Sequence, residues 1–302
     1  MIGRRRRIGL EKRRARAAYA FIGLWLFGFA VFFLEPMISS IRYSFFDLVT
    51  QDSGGFALLW PEGGLLANYR TALTADPDFL PYLADGLRQM VLQVPGIVMF
   101  SLFIALLLSR DFPGRTFMRG LFFLPVIVTT GMISQIIRDQ LNNVAQGGYD
   151  SGTNIFQSTA MTQFLLDSGM PQSVTDVFGT VIDGGVDIVW QSGVQILIFL
   201  SAILAIPAVY YEVAAVEGGT AWEAFWKITF PLMRPYILLN VLYSMIDMFS
   251  SYGNKVMQYM IDVIYSQGMF SLGSAMAWVY LLVMLVLIGL VTLLLRSRSE
   301  KA

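Results

Sequence analysis

The chain has 302 residues with 21 basic and 21 acidic side chains, so the balance of charge excludes a general nucleic-acid binder. It is 56% hydrophobic and only 14% charged, with a mean hydropathy of +0.61, which excludes an ordinary soluble domain and a disordered chain. Cys and His are both absent from the sequence, which excludes disulfide scaffolds, thiol nucleophiles, Cys/His zinc sites and histidine acid–base catalysis.

Six stretches of the sequence are long and apolar enough to cross a bilayer, which takes about 20 mostly apolar residues per helix. They predict an all-α integral membrane protein with six transmembrane helices. The predicted spans are 17–41, 86–109, 117–137, 187–207, 235–252 and 270–295. The fifth span is the most polar, because Asn240 and Asp247 lie within it.

The distribution of Lys and Arg predicts the orientation of these spans, since cytoplasmic segments carry an excess of both. The tail 1–16, the segment after the second span with Arg119 just beyond it, the segment after the fourth span, and the tail 297–302 with Arg296 hold 16 of the 21 basic residues. The predicted outer loops are 42–85 and 138–186, and 142–186 contains no Lys or Arg. Both termini are therefore predicted to be cytoplasmic.

Two features of this topology have alternative interpretations. The first span has the basic flank of a signal peptide, but its apolar core is long and no small-x-small cleavage site follows, so we interpret it as a membrane anchor. The two outer loops are too long for simple turns. Each is either a docking surface for an external partner or a solvated connector with short helices, and the sequence does not separate the two.

Residues 208–235, between the fourth and fifth spans, predict two short helices separated by a break at Gly218 and Gly219. The second helix places three aromatic residues on one face and is expected to end before the fifth span at two prolines. These residues are Trp222, Phe225, Trp226, Pro231 and Pro235. The segment is an amphipathic elbow suited to a groove in a partner protein, or else an ordinary cytoplasmic loop.

The spacing of four residues in this elbow resembles the EAA loop of the membrane subunits of binding-protein-dependent ABC importers. Gly218, Ile228 and Pro231 follow Glu212 at six, sixteen and nineteen residues. The wider pattern is similar to the carbohydrate-uptake branch, including maltose- and oligosaccharide-type permeases. That pattern consists of Ile206-Pro207, Tyr211, Ala214, Glu217, Phe225, Thr229 and, earlier in the chain, Phe123-Leu124-Pro125.

The resemblance implies that the elbow is a coupling helix that sits in a cleft of a cytoplasmic ATPase and moves when ATP binds. The implied coupling residues are Glu212, Ala214, Ala215, Glu217, Gly218, Gly219, Phe225, Ile228 and Pro231. It also implies an ATPase dimer, a second and usually different permease subunit, an extracytoplasmic solute-binding protein, and a bacterial or archaeal cytoplasmic membrane. The chain has no Walker motif, so ATP and Mg²⁺ are expected on the ATPase and no cofactor on this chain.

Polar residues recur at three- and four-residue steps in the fifth span and predict one polar stripe along the helix. The stripe consists of Asn240, Tyr243, Ser244, Asp247 and Ser251. It either contacts a sugar in the transport path or makes hydrogen bonds to a neighbouring helix, which uses the same residue types. Weaker candidates for the solute path are Gln191, Gln195, Ser271 and Ser274.

One charged pair has a structural interpretation, because Glu35 and Arg42 lie on the same helical face and are expected to pair near the outer interface. Three other functions remain open for the chain as a whole. An ion-coupled transporter or channel would require buried carboxylates in paired halves, and an integral membrane enzyme would require an acid–base or metal cluster. A permease for a non-sugar solute such as a glycerol phosphodiester would require a basic cavity.

Overall fold

A computed structural model describes residues 22–50, 56–120, 191–251 and 253–299, together with the isolated positions 19, 122, 168, 171, 172, 175, 185, 188 and 189. The tail 1–16, nearly all of the predicted third span and nearly all of the outer loop 138–186 lie outside the described residues. The chain divides into two compact units. The first comprises Met1–Ala84 and Tyr252–Val283, and the second comprises Asp85–Ser251 and Met284–Ala302.

The first unit begins with helix α1, Ile22–Phe45, which extends past the predicted end at residue 41. A two-stranded antiparallel hairpin follows, with β1 at Asp47–Thr50 and β2 at Phe56–Leu59. The short helix α2, Ala67–Arg70, continues into a π-helical turn at Thr71–Ala75. The described residues of the predicted outer loop 42–85 therefore lie largely in regular secondary structure.

Helix α3, Phe79–Ser109, begins in the first unit and continues into the second, and it contains Pro95 in its interior. Its start precedes the predicted residue 86 because Asp76 caps the first turn. The Asp76 carboxylate accepts hydrogen bonds from the backbone N–H groups of Asp78 and Phe79, at 3.1 and 2.8 Å. Apolar periodicity does not reveal such a polar first turn.

The second unit contains helices α4, Gly193–Leu204, and α5, Val209–Val216, which are bent by 63° at the break around Ile206 and Pro207. Helix α6, Ala221–Ala224, continues through a π-helical turn, Phe225–Thr229, into α7, Phe230–Ser250. Helix α4 packs on α7 in the core of this second unit. Buried apolar side chains on these two helices include Ile196, Phe199, Met233, Met245 and Phe249.

The prolines at the start of the fifth span do not end the helix, contrary to the prediction. Pro231 lies in the first turn of α7, and Pro235 lies within α7. The turn before Pro231 is widened, so that the N–H of Phe230 bonds to the carbonyl of Phe225 five residues back. This wider turn accommodates a residue that has no N–H and whose ring would clash with a preceding carbonyl.

The other two π-helical turns of the described chain also lie directly before a proline. The N–H of Glu35 bonds to the carbonyl of Ala30 before Pro36, and the N–H of Asp76 bonds to the carbonyl of Thr71 before Pro77. In α1 the helix then continues without interruption. The widened turn thus explains why Pro36 does not shorten the first span.

The remaining helices are α8, Lys255–Tyr265, and α9, Phe270–Ser299. Within the described residues, three helices are long and apolar enough to cross a membrane, at Ile22–Phe45, Phe79–Ser109 and Phe270–Leu295. The bent pair α4 and α5 meets the same criterion when taken together. Helix α7 is long enough, but its polar residues lower its hydropathy, as the sequence indicated.

Candidate functional site

The glycine break of the elbow is the C-terminal cap of α5. Gly218 has a positive φ of 76°, and its N–H donates to the carbonyl of Ala215 at 3.1 Å. The N–H of Gly219 donates to the carbonyl of Ala214 at 2.8 Å. This is the hydrogen-bond pattern of a Schellman motif, with Glu217 as the cap residue and Gly218 in the left-handed position.

Each of the two glycines is required for a different reason. Gly218 supplies a conformation that L side chains rarely adopt. Gly219 has an ordinary φ, but a Cβ there would lie 2.9 Å from the carbonyl oxygen of Ala214. The elbow therefore turns at Gly218 and closes tightly on α5 at Gly219.

The second half of the elbow begins with a capping box that the sequence analysis missed. The Thr220 hydroxyl accepts from the Glu223 N–H at 3.3 Å, and the Thr220 N–H donates to the Glu223 carboxylate at 3.0 Å. The hydrogen bond from the Thr220 N–H, and then those from the Thr220 hydroxyl and Lys227, lower the pKa of Glu223. The cap is therefore retained at neutral pH and weakens when acid protonates Glu223. The pattern Thr-x-x-Glu at Thr220 and Glu223 could have predicted this capping box from the sequence.

A hydrogen bond joins the two halves of the elbow. The Tyr211 hydroxyl lies 2.9 Å from the Thr229 hydroxyl, and Thr229 is buried. This contact links α5 to the π-helical turn that leads directly into α7. The hydrogen bond therefore joins α5 to the start of a long helix rather than to a loop.

The outer surface of the elbow is apolar and exposed. Val209, Val213 and Val216 follow one stripe of α5 and are 55%, 52% and 89% exposed. Trp222 is 70% exposed, and its ring packs on that of Trp226 at 5.6 Å. An apolar surface of this kind on a short helical elbow is typical of a protein-binding site.

The predicted coupling residues of this elbow differ in how far they are exposed. Glu212 is exposed, and its carboxylate makes no hydrogen bond or ion pair within the described part of the chain. The exposed residues also include Ala215, Glu217, Gly218 and Gly219. The half-buried ones are Ala214, Phe225, Ile228 and Pro231. The first group is available to a partner, and the second group supports the elbow from inside.

The polar stripe of α7 is divided between two environments. Asn240 and Ser244 are fully buried, and the Ser244 hydroxyl accepts a hydrogen bond from the Gln195 side-chain amide of α4 at 3.0 Å. Tyr243 and Asp247 are half-buried, and Ser251 is exposed. The geometry of Ser244 therefore matches the interhelical alternative, whereas Tyr243 and Asp247 remain accessible.

Hydrogen-bonding capacity is left over in this buried cluster. The Nδ2 and Oδ1 atoms of Asn240 and the Oε1 atom of Gln195 are buried and have no hydrogen-bond partner among the described residues. All of these groups are neutral amides, which can donate and accept hydrogen bonds but carry no charge. Of the weaker candidates, Gln191 is half-buried, and Ser271 accepts a hydrogen bond from the Leu48 N–H in the first unit.

The predicted pair between Glu35 and Arg42 does not form in the structure. The Glu35 carboxylate instead accepts a hydrogen bond from the Ser39 hydroxyl at 3.0 Å, one helical turn away. Arg42 lies two turns away, about 10 Å along the helix axis, which is farther than neighbouring side chains on one face. Among the described residues, neither of these two side chains forms an ion pair.

We expect Gln195 and Ser244 to behave as a tie between α4 and α7. In a double-mutant cycle of Gln195→Leu and Ser244→Ala, the two losses of stability should be non-additive by roughly 1 kcal/mol, the usual scale for such bonds in membranes. The measurement is thermal unfolding of the purified permease, with Ser201→Ala on the exposed side of α4 as the control. Additive effects would show that the two side chains act independently.

No model of a known protein family matches the chain. It is 30% identical to the probable ABC transporter permease protein YesP of Bacillus subtilis, over 94% of this chain and 90% of that protein. It is 27% identical to the multiple sugar-binding transport system permease protein MsmF of Streptococcus mutans, over 68% of this chain and 65% of that protein.

A solved structure shares the fold of the chain. It is a bacterial alginate ABC transporter in complex with a periplasmic protein that binds an alginate pentasaccharide. The matched subunit superposes with a TM-score of 0.64 and 16% sequence identity, over 96% of this chain and 97% of that one. The described helices and the order in which they follow one another thus have a precedent in a membrane transporter.

Proposed function

Because the chain belongs to the family of ABC transporter permeases, we propose that it is the membrane-spanning subunit of an ATP-driven importer for a sugar or an oligosaccharide. The similarity to a permease named for multiple sugars supports this solute class, and so does the shared fold with the alginate transporter.

The proposed topology has six spans with both termini in the cytoplasm. Helices α1, α3 and α9 supply three spans, and two more are the stretch 187–207, which contains α4, and the stretch 235–252, which lies mostly in α7. The remaining span is the apolar stretch 117–137. Lys and Arg concentrate in the two tails and in the segments that include Arg115 and Lys227, which supports a cytoplasmic position for all four.

The elbow at 208–235 is proposed to bind the cytoplasmic ATPase, and its exposed apolar surface is the observation that carries the proposal. Val216 and Trp222 are 89% and 70% exposed and belong to an apolar patch of the kind that marks a protein-binding site. The Schellman motif at Gly218 and the bond between Tyr211 and Thr229 make the elbow a stiff unit. A stiff unit with different contacts in two states of the ATPase can act as a lever.

The remaining partners complete the proposed transporter. The ATPase acts as a dimer and holds ATP and Mg²⁺, so this chain needs no nucleotide site and is not an enzyme by itself. A second permease, a different chain in a heterodimer, supplies the other half of the path. An extracytoplasmic binding protein delivers the solute, as the periplasmic protein does in the alginate complex.

Within this chain we assign the solute path to the accessible part of the polar stripe. Tyr243 and Asp247 offer an aromatic face and a carboxylate, both of which suit sugar rings and hydroxyls. An anionic solute is the second candidate, but α7 contains no Lys or Arg after Arg234. An ion-coupled mechanism loses its support, because the chain belongs to a family driven by ATP.

Purification of the chain from its native membrane in mild detergent tests this proposal. We expect an ATPase and a second permease to co-purify, and the associated binding protein to retain a sugar that mass spectrometry identifies. A retained phosphodiester would replace the sugar with an anionic solute. Recovery of the chain alone, with uptake driven by an ion gradient in liposomes, would contradict the importer.

A further inference from the structure

One face of the hairpin that follows α1 carries mostly apolar residues, and three of them are exposed. Leu48 of β1 pairs with Leu58 of β2, and Phe56 lies on the same side two residues earlier. Phe46 and Trp60 continue the alternation at the open end of the hairpin, where their rings contact each other at 5.7 Å. We name this surface the aromatic face: Phe46, Leu48, Phe56, Leu58 and Trp60.

The position of the hairpin relative to the spans is fixed by covalent and hydrogen bonds. Strand β1 starts at Asp47, directly after the end of α1 at Phe45. The N–H of Leu48 donates to the hydroxyl of Ser271 at 2.8 Å, and Ser271 lies in the first turn of α9. Since α1 and α9 are both candidate spans, the hairpin lies at the level where two membrane helices reach the same bilayer surface.

An aromatic contact also joins the hairpin to the start of α9. The ring of Phe56 packs on that of Phe270, the first residue of α9, at 6.2 Å. On the opposite face of the hairpin, the Asp47 carboxylate accepts a hydrogen bond from the Asn68 side chain at 3.1 Å. Val49 and Leu59 on this second face are also exposed, at 44% and 52%, so the second face differs from the first by the carboxylate of Asp47 and by having no aromatic ring.

We infer that the aromatic face lies in the interfacial region of the outer leaflet and binds lipid. Phe56 is 66% exposed, Leu58 46% and Trp60 65%, which is unfavourable in water. Trp is enriched where headgroups meet acyl chains, because its ring is apolar and its N–H is polar. A two-stranded hairpin is marginally stable in water by itself, so burial of one face in lipid also stabilises its pairing.

This inference adds a contact with lipid to the proposed transporter and rests on its membrane topology alone. It names the membrane, and not the binding protein or the second permease, as the occupant of the aromatic face. The membrane is chosen because the hairpin lies close to the bilayer surface: Phe46 directly follows the last residue of a candidate span. The aromatic face is also continuous along the chain with the exposed side of α1, where Phe33 and Ile38 are exposed.

Spin labels measure this contact directly, because the chain contains no Cys to remove. Leu58→Cys and Trp60→Cys place the label on the aromatic face, and Glu62→Cys places it on an exposed charged residue beyond β2. Phe32→Cys, at an 82% exposed position within α1, gives the value for hydrocarbon. The transporter, with any cysteine of its partner subunits replaced, is reconstituted in phosphatidylethanolamine and phosphatidylglycerol vesicles without the binding protein.

The readout is the ratio of collision rates with O₂, which concentrates in lipid, and with a water-soluble nickel chelate. We expect this ratio to be several-fold higher at Leu58→Cys and Trp60→Cys than at Glu62→Cys, approaching the value at Phe32→Cys. A ratio equal to that at Glu62→Cys would place the aromatic face in water and overturn the inference. Immobile labels that neither reagent reaches would place it against a protein, with the same consequence.

The labels also separate this inference from the proposed function. ATP hydrolysis by the same vesicles reports whether the ATPase is bound. If the chain purifies without an ATPase, the collision ratios can still be measured on the chain alone. A lipid-facing label would then support the inference while the importer fails.

Discussion

Substitution of Gly218 by Pro is expected to uncouple ATP hydrolysis from transport. Proline fixes φ near −65°, whereas Gly218 has a φ of 76°, and proline also removes the N–H that bonds to Ala215. The elbow can then no longer keep its Schellman geometry. Because the exposed surface of α5 is displaced, solute uptake per ATP hydrolysed should fall by roughly tenfold or more, on the scale of allosteric coupling.

A matched control for this variant exists in the first unit, just after the hairpin. Gly64 has a φ of 87°, and its N–H also donates to a carbonyl three residues back, that of Pro61 at 3.1 Å. Gly64→Pro therefore produces the same local strain away from the elbow. Uptake and ATPase activity are measured together in reconstituted vesicles. Equal losses of uptake in both variants would mean that general strain, rather than the lever, explains the defect.

The glycine break of the elbow could be predicted because its determinants are local. A left-handed residue and a close backbone approach both demand glycine, and Gly218 and Gly219 meet these two demands in the structure. The aromatic cluster around Trp222 likewise follows from helical spacing. The capping box at Thr220 was equally local and could have been found from its motif.

The parts that sequence analysis missed depend on geometry between residues or on tolerance of unusual turns. Pro231 was expected to end a helix, but a widened turn before it lets the helix continue into α7. The stripe of α7 was expected to act as one surface, yet burial of Ser244 against Gln195 divides it. Which neighbour a helix face meets is a tertiary property, so helical periodicity could not decide between a solute path and an interhelical bond.

The hairpin at 47–59 was not predicted from the sequence, for a different reason. Its two strands are only four residues long, and apolar periodicity cannot identify strands of that length next to a membrane span. Their position becomes clear only from the contact between Leu48 and Ser271, which are 223 residues apart in the chain. Long-range contacts of this kind cannot be predicted from a single sequence.

Replacement of Val216 by Asp is expected to abolish binding of the ATPase while leaving the permease folded. Val216 is 89% exposed, so its side chain contributes almost nothing to packing within this chain. In the proposed complex, the same side chain is buried in an apolar cleft. An unpaired carboxylate there should cost about 3 kcal/mol or more, which is roughly a hundredfold in affinity.

Two further variants make the result specific to the elbow. Val216→Ala removes only part of the apolar contact and should weaken binding of the ATPase by much less than Val216→Asp. Leu66→Asp changes an equally apolar residue, 64% exposed, that lies after the hairpin and should leave ATPase binding unchanged. The measurement is the amount of ATPase that co-purifies with each tagged permease. Normal recovery with Val216→Asp would show that the ATPase binds elsewhere, because no folded cleft accepts an unpaired charge at its apolar centre without loss of affinity.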